Sequence, residues 1–259
     1  MHIAVVGATG LVGSALVAAA EKAGHEVIAL SRQSGTDVLQ PDGLADQLAG
    51  ADALVDVTQS PSLSEDDAKA FFVVAATNLA NAAKAAGVQR TVVLSIIGAD
   101  QIAASSTEAG TGYDGYYRAK YVQEQTIAAN APGPRIVRST QFHDISSQSI
   151  GWGRDGDQTT VPDLVTQTVA VQSMVEVLLG AATAEIDGDV IEAAGPKPEH
   201  LADLAARYAA HVGDPVTVVA APVGEMVRDG LLLPHEGAHL VGPDFAEWLE
   251  TVPVPQPTA

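Results

Sequence analysis

The stretch HIAVVGATGLVG, from His2 to Gly13, decides how the rest of the chain is organised. Ile3, Ala4, Val5 and Val6 form a short, mostly β-branched apolar run of the kind that a strand buried on both faces requires. Gly7, Gly10 and Gly13 follow at three-residue spacing, and Leu11, Val12, Ala15 and Leu16 begin a helical apolar stripe around them. The pattern is strand, tight turn, helix. The first glycine lets the chain turn at backbone angles closed to other residues, the second lets a pyrophosphate approach the main chain, and the third lets the helix pack close to the strand. The helix N-terminus adds N–H groups and a partial positive charge for the phosphates. Gly7, Thr9, Gly10, Leu11, Val12 and Gly13 are therefore candidates for a dinucleotide cradle.

Composition sets outer bounds. A chain of 259 residues can bury a full core as one domain with a small appendage. Hydrophobic residues at 47% and charged residues at 17% give an ordinary globular balance. The formal net charge of -19 disfavours nucleic acid or an anionic membrane as partner, because phosphate neutralisation needs clustered Lys and Arg. With no cysteine there is no disulfide scaffold, thiolate nucleophile or Cys-ligated metal, which fits a reducing compartment. No basic-then-apolar leader stands before the first strand, and no apolar run approaches the ~20 residues of a membrane span, so the expected location is cytoplasmic.

Outward from the glycine turn, EVIAL at Glu26 to Leu30 predicts a second strand, Thr36 to Leu39 a short third and Asp52 to Val57 a fourth. Ser64 ahead of Glu65, Asp66 and Asp67 caps a long helix that Gly87 stops, a helix suited to pairing across a two-fold axis in a homodimer. RTVVLSII at Arg90 to Ile97 is a fifth strand, Gly98 to Gly115 a small, polar loop, Tyr116 to Asn130 a helix and Arg135 to Arg138 a strand. Gln141 to Thr160 has no clear period, Val161 to Ala182 is mostly helical in pattern, and Asp189 to Ala193 is a strand. Leu201 to Val212 is an amphipathic helix, and Val216 to Ala221 is a candidate last strand. Alternating strands and helices predict a Rossmann-type α/β fold, a doubly wound parallel sheet in a single domain spanning 1–259. A small C-terminal substrate cap is expected from about 141–160 and 195–250, with an extended proline-rich tail at 252–259.

In dinucleotide-binding folds an acidic residue about twenty positions beyond the glycines meets the NAD ribose, whereas an arginine there accommodates the NADP phosphate. Here Ser31 and Arg32 follow the second strand, with no carboxylate until Asp37. A guanidinium pairs bidentately with phosphate, so NADP(H) is preferred over NAD(H), with Asp37 and Val38 counted as further cofactor-binding candidates. Thr58 and Gln59, just past the fourth strand, join them on the same sheet edge.

YDGYYRAKYVQEQ, from Tyr113 to Gln125, carries the candidate chemistry. Tyr116 and Lys120 stand four apart on one helix face. A phenol is a poor acid or base at neutral pH, but a nearby ammonium favours its phenolate and can bond the cofactor ribose. Such a pair can protonate a developing alkoxide. Tyr113 and Tyr117 offer alternative phenols, with Tyr116 better spaced to Lys120.

GATGLVG at Gly7 to Gly13, Ser31-Arg32, LSIIG at Leu94 to Gly98, YYRAK at Tyr116 to Lys120 and VRSTQFHD at Val137 to Asp144 resemble, in the right order, the short-chain dehydrogenase/reductase superfamily and its atypical NmrA-like NAD(P)-binding members. The resemblance implies that Tyr116 is the acid/base, that Lys120 binds the nicotinamide ribose and lowers the tyrosine pKa, and that Thr140, Gln141 and Phe142 lie near the nicotinamide. It also implies a catalytic Ser or Thr after the fifth strand. The chain offers Ser95, which is also a cofactor-edge candidate, and then Ile96 and Ile97. If Ile97 holds the catalytic position, no hydroxyl is available there. Ile97, His143 and Trp152 are candidates for lining the substrate site.

HEGAH at His235 to His239 matches a zinc-protease pattern, but Pro234, Gly237 and Gly242-Pro243 deny it the stable helix that motif needs, so no metal is expected. Two functions remain. One is an NADP(H)-dependent oxidoreductase acting on a small carbonyl, enone, imine or quinone-like substrate. The other is an NADP(H)-sensing regulatory protein without catalysis, and an isomerase or lyase that keeps its cofactor is a weaker third.

Overall fold

Two different neighbours explain the continuous apolar run of the first strand. In the computed structural model, which describes residues 1–254, β1 (His2–Val6) lies inside a sheet covered on both faces. Ile3 and Val5 pack with Val12, Leu16 and Ala20 on one face, while Ala4 and Val6 pack with Leu44, Leu48 and Leu79 on the other. After β1 come α1 (Leu11–Lys22), β2 (Glu26–Leu30), a 3-10 turn at Arg32–Ser34, α2 (Leu44–Gln47), β3 (Ala53–Asp56) and α3 (Glu65–Ala86). Then follow β4 (Arg90–Ile96), α4 (Ala99–Ala104), α5 (Asp114–Asn130), β5 (Pro134–Ser139) and α6 (Ile145–Trp152). The remainder is β6 (Arg154–Asp155), β7 (Gln158–Pro162), β8 (Val165–Thr166), α7 (Val171–Thr183), β9 (Val190–Ala194), β10 (Glu199–His200), α8 (Leu201–Val212), β11 (Thr217–Ala221), α9 (Glu225–Arg228), β12 (His239–Leu240) and α10 (Phe245–Leu249).

The central sheet has seven strands in the order β12-β9-β5-β4-β3-β1-β2, and every pairing is parallel. Residues of α1 and α7 cover one face, and Ala76 of α3 and Ile127 of α5 meet Val93 and Ile136 on the other. This is the Rossmann-like α/β layering that the alternation of strands and helices predicts. No helix among the described residues is long and apolar enough to cross a membrane.

Over the C-terminal edge sits the cap. It contains the sheet β11-β7-β6 and the pair β10-β8, and its core joins Ile150, Val161, Leu164, Leu201, Val216 and Leu231 to Ile102 and Tyr117. The 195–250 segment does not belong wholly to the cap, because β12 returns to the central sheet and pairs with Ala193 and Ala194.

Several expected elements differ. Thr36 to Leu39 is not a strand: the Asp37 carboxylate accepts the Leu39 N–H at 3.0 Å, the Asp37 carbonyl accepts the Gln40 N–H at 3.0 Å, and β2 remains the sheet edge. A local side-chain bond has outcompeted strand pairing there. The loop from Gly98 to Gly115 contains α4, and the 141–160 stretch contains α6. Within Val161 to Ala182 the helix starts only at Val171. The Val216 to Ala221 strand exists as β11, but in the cap, parallel to β7. In the predicted tail, Val252 packs near Leu204 and Phe245 and its carbonyl bonds His211, while 255–259 lie outside the described residues.

At Gly13 a Cβ would stand 2.1 Å from the Gly7 carbonyl oxygen, whereas at Gly151 in α6 it would meet nothing within 4 Å. Gly13→Ala is therefore expected to cost at least about 1–3 kcal/mol of stability. Gly151→Ala should stay within about 1 kcal/mol of the starting protein. Urea unfolding of both variants checks this, and equal midpoints would refute the close packing of α1 on the turn.

Candidate functional site

The glycine turn has the geometry that a phosphate cradle needs. Gly7 has φ +89°, in the left-handed region, and both its N–H and that of Ala8 donate to the Leu30 carbonyl at the end of β2, at 3.0 and 3.1 Å. Gly10 is the N-cap of α1 and brings no side chain to the N–H groups of the first turn. Thr9, Gly10 and Leu11 are exposed, whereas the side chain of Val12 is buried in the core, so Val12 offers only its backbone. A nicotinamide dinucleotide fits these residues at its pyrophosphate: the turn, the close helix and the uncapped N–H groups are all present.

Around the turn, β2 and β3 deliver the neighbouring candidates. Ser31 caps the 3-10 turn by accepting the Ser34 N–H, so its hydroxyl is engaged locally, and Arg32 is exposed two residues past Leu30. Asp37 is occupied by the Leu39 N–H, while the Val38 carbonyl accepts from Asn78 at 3.0 Å. A Cβ on Gly7 would meet Val57 O at 3.1 Å and Thr58 N at 3.3 Å, so the end of β3 presses on the turn. Thr58 is held there by the Asp56 carboxylate, which accepts its N–H and its hydroxyl at 2.9 and 2.7 Å, and Gln59 next to it is exposed.

Tyr116 and Lys120 on α5 both approach one aromatic ring, that of Phe72. Tyr116 packs edge-on to Phe72 with centroids 5.8 Å apart, and the Lys120 ammonium lies 4.7 Å from the same ring. The ammonium points inward, however. It donates to the Leu94 carbonyl at 2.7 Å and to Oε1 of Gln123, whose Nε2 donates to Asp56 at 2.9 Å. Burial pulls the Lys120 pKa down to about 8, against the opposing pull of Asp56 and Glu124. Burial likewise pushes Tyr116 up to about 12. The expectation that Lys120 lowers the tyrosine pKa is not met in this conformation, where burial of the phenol, with Tyr117 beside it, outweighs any effect of the ammonium. Tyr117 faces the cap, buried, with its hydroxyl accepting from Gln141 at 3.0 Å.

Ser95 and Ile97 are both buried, and the Ser95 hydroxyl has no hydrogen-bond partner. Thr140 hydrogen-bonds the Gln167 carbonyl at 2.7 Å, Gln141 also accepts from Thr166, and Phe142 bridges to Val169. His143 does not line a cleft. It is fully buried, with Nδ1 2.8 Å from the Thr168 hydroxyl and Nε2 3.3 Å from the Pro243 carbonyl, between the rings of Phe245 and Trp248. Burial lowers its pKa, consistent with a neutral imidazole that ties α10 to the body. Trp152 is 58% exposed at the end of α6, edge-on to Tyr113. His235 and His239 do not share a helical turn: Gly237 has φ +91°, His239 is in β12, and His235 pairs with Glu192.

Two features escaped sequence reading. Asp114 folds the preceding loop onto α5 by accepting the N–H groups of Ala109, Gly110 and Thr111 and the Thr111 hydroxyl. Burial alone would raise its pKa, but these bonds hold it at about 2. Arg138 forms a bidentate pair with buried Glu124 at 3.0 and 2.7 Å and reaches Asp100 at 2.7 Å, locking β5 to α5 and α4. The available signals were Asp114 at the start of the helix after a glycine- and threonine-containing loop, and Glu124 four residues beyond Lys120 on the same helix.

A family model, described as the NAD dependent epimerase/dehydratase family, matches residues 3–138, the stretch that contains the turn, β4 and α5. The chain belongs to that family. Among solved structures, it is similar to a short-chain dehydrogenase/reductase superfamily protein from Agrobacterium tumefaciens with bound NAD, at 19% identity and TM-score 0.67, covering 96% of this chain and 95% of that one. It is also similar to a dTDP-4-dehydrorhamnose reductase ortholog from Clostridium acetobutylicum, at 19% identity and TM-score 0.68, covering 86% and 84%. A third is RMD from Pseudomonas aeruginosa complexed with NADPH, at 16% identity and TM-score 0.65, covering 88% and 87%. At these identities the likeness is one of fold. No curated protein matches the sequence. Family membership and the turn geometry together support a nicotinamide dinucleotide as cofactor.

Lys120 provides a pH test. Between about 8 in the folded chain and the ordinary 10.5, the unfolded state binds a proton that the folded state has shed, so this group makes stability rise with pH across that window and contributes no slope below it. Lys120→Met should abolish that rise in urea unfolding measured from pH 7 to pH 10. A rise that persists in the variant would assign it elsewhere.

Proposed function

We propose that this family member is an NADP(H)-dependent oxidoreductase of the NmrA-like type that reduces a small carbonyl, enone, imine or quinone-like substrate. What carries the proposal is the meeting of Tyr116 and Lys120 against Phe72, with Lys120 bonded to the Leu94 carbonyl near the end of β4. Bound nicotinamide would supply the hydride. Tyr116 would supply the proton: its phenol is protonated at neutral pH, and a bound substrate and the Lys120 ammonium would have to offset the burial that raises its pKa to about 12. Lys120 would orient the ribose with an N–H left over from Leu94 and Gln123, and Arg32 would clamp the 2′-phosphate that distinguishes NADP. Buried Ile97 and the apolar cap residues around Tyr117 would help to exclude water from the same edge.

A second reading, an NADP(H) sensor, is favoured by one observation. Of the two positions that could hold the substrate-binding hydroxyl, Ile97 has none and is buried, and the Ser95 hydroxyl is sealed beneath the surface. A sensor requires that the oxidised and reduced cofactors change the affinity for a partner, since equal affinities shift nothing.

Arg32→Ala should weaken NADPH binding by about tenfold or more while leaving NADH binding nearly unchanged, as the loss of a bidentate phosphate contact predicts. Calorimetry with both cofactors checks it, and equal losses would remove the phosphate assignment. Tyr116→Phe should lower NADPH oxidation with a panel of carbonyl and quinone acceptors by about 100-fold or more, the typical contribution of a positioned acid. Full activity in that variant, or no turnover of any acceptor by the unmodified protein, favours the sensor.

A further inference from the structure

The carboxylate of Asp56 ends an otherwise apolar strand, is almost completely buried, and is not used by the reduction chemistry above. A buried carboxylate is costly unless it is well partnered. Its partners are the Thr58 N–H and hydroxyl on one oxygen and Nε2 of Gln123 on the other. Gln123 is itself fully buried, and its Oε1 accepts from the Lys120 ammonium.

The chemistry of the two ends fixes which way the amide faces. A carboxylate only accepts and an ammonium only donates, so a glutamine between them must turn its nitrogen to Asp56 and its oxygen to Lys120. The Gln123 dipole therefore transmits the charge of Asp56 to Lys120. Leu94 O and Gln123 Oε1 take two of the three ammonium donors, and the Phe72 ring covers the ammonium from α3 at 4.7 Å. The titratable neighbours of Lys120 are Asp56 on β3, and Glu124 and Tyr116 on its own helix, while α3 and β4 present Phe72 and a backbone carbonyl. Asp56 also holds Thr58 beside the glycine turn, so one carboxylate is bonded next to the turn and, through Gln123, is linked to Lys120.

We propose that Asp56 and Gln123 are positioning residues that fix the Lys120 ammonium for the nicotinamide ribose through an oriented amide relay. The proposal rests on the reading of Lys120 as a cofactor-binding residue. In Asp56→Asn the introduced amide can donate to Gln123, which lets the glutamine flip and turn its own N–H groups on Lys120. Adding Gln123→Glu restores an acceptor that faces both neighbours.

Fluorescence titration of the full chain with NADPH tests it. Asp56→Asn should weaken NADPH about tenfold, the scale of one lost charge-assisted hydrogen bond, and Asp56→Asn with Gln123→Glu should recover most of that loss. A merely structural role for Asp56 gives no such recovery. Gln123→Met leaves Asp56 both Thr58 bonds and should show the same weakening, which keeps the test open if Asp56→Asn does not fold. NADPH binding unchanged in either folded single variant, or a double variant no tighter than Asp56→Asn, overturns the relay. Failure of the unmodified protein to bind NADPH overturns the cofactor reading beneath it, whereas tight binding with unresponsive variants removes the relay alone.

Discussion

Helix α1 begins so close to the end of β1 that the space between Gly13 and the Gly7 carbonyl admits no Cβ. That contact aims the first turn of α1 at the C-terminal sheet edge. The same turn is tied sideways: Gly7 and Ala8 donate to Leu30, and the Val57–Thr58 peptide packs against Gly7. The two strands hydrogen-bonded to β1 therefore end beside the turn, with Arg32 following β2 and Thr58 following β3.

On the face of the sheet covered by α3 and α5, the core is interrupted by two polar systems. Asp56, Gln123 and Lys120 form one, and Glu124, Arg138 and Asp100 form the other. Adjacent residues of α5, Gln123 and Glu124, serve different systems, so this helix is held to β3 and to β5 by directional bonds as well as by packing. Buried charges are poor sources of stability compared with apolar side chains of similar volume, but removing one partner leaves the other uncompensated. Their effect here is to fix α5 in register with the sheet, and with it the positions of Tyr116 and Lys120.

Much of this was legible in the chain. The period of the apolar residues located β1, β2, β4 and α3 with little error, and the capping serine before α3 marked its start, because each signal is local. Thr36 to Leu39 misled because its composition suits a strand, while the Asp37 side chain captures the backbone first. His143 misled for the opposite reason: its place after β5 suggested an open edge, but α10, a hundred residues later, folds over it.

The sequence by itself determined the strand, turn and helix that make a dinucleotide cradle, and the helix face shared by Tyr116 and Lys120. Both follow from spacing along a single segment and from the conformations that glycine alone permits. Tertiary structure alone decided where the Lys120 ammonium points, that the Ser95 hydroxyl and Ile97 are sealed, and that Asp56 belongs with α5. Those are properties of side chains brought together from β3, β4 and α5, and desolvation and hydrogen-bond partners exist only once the three are packed.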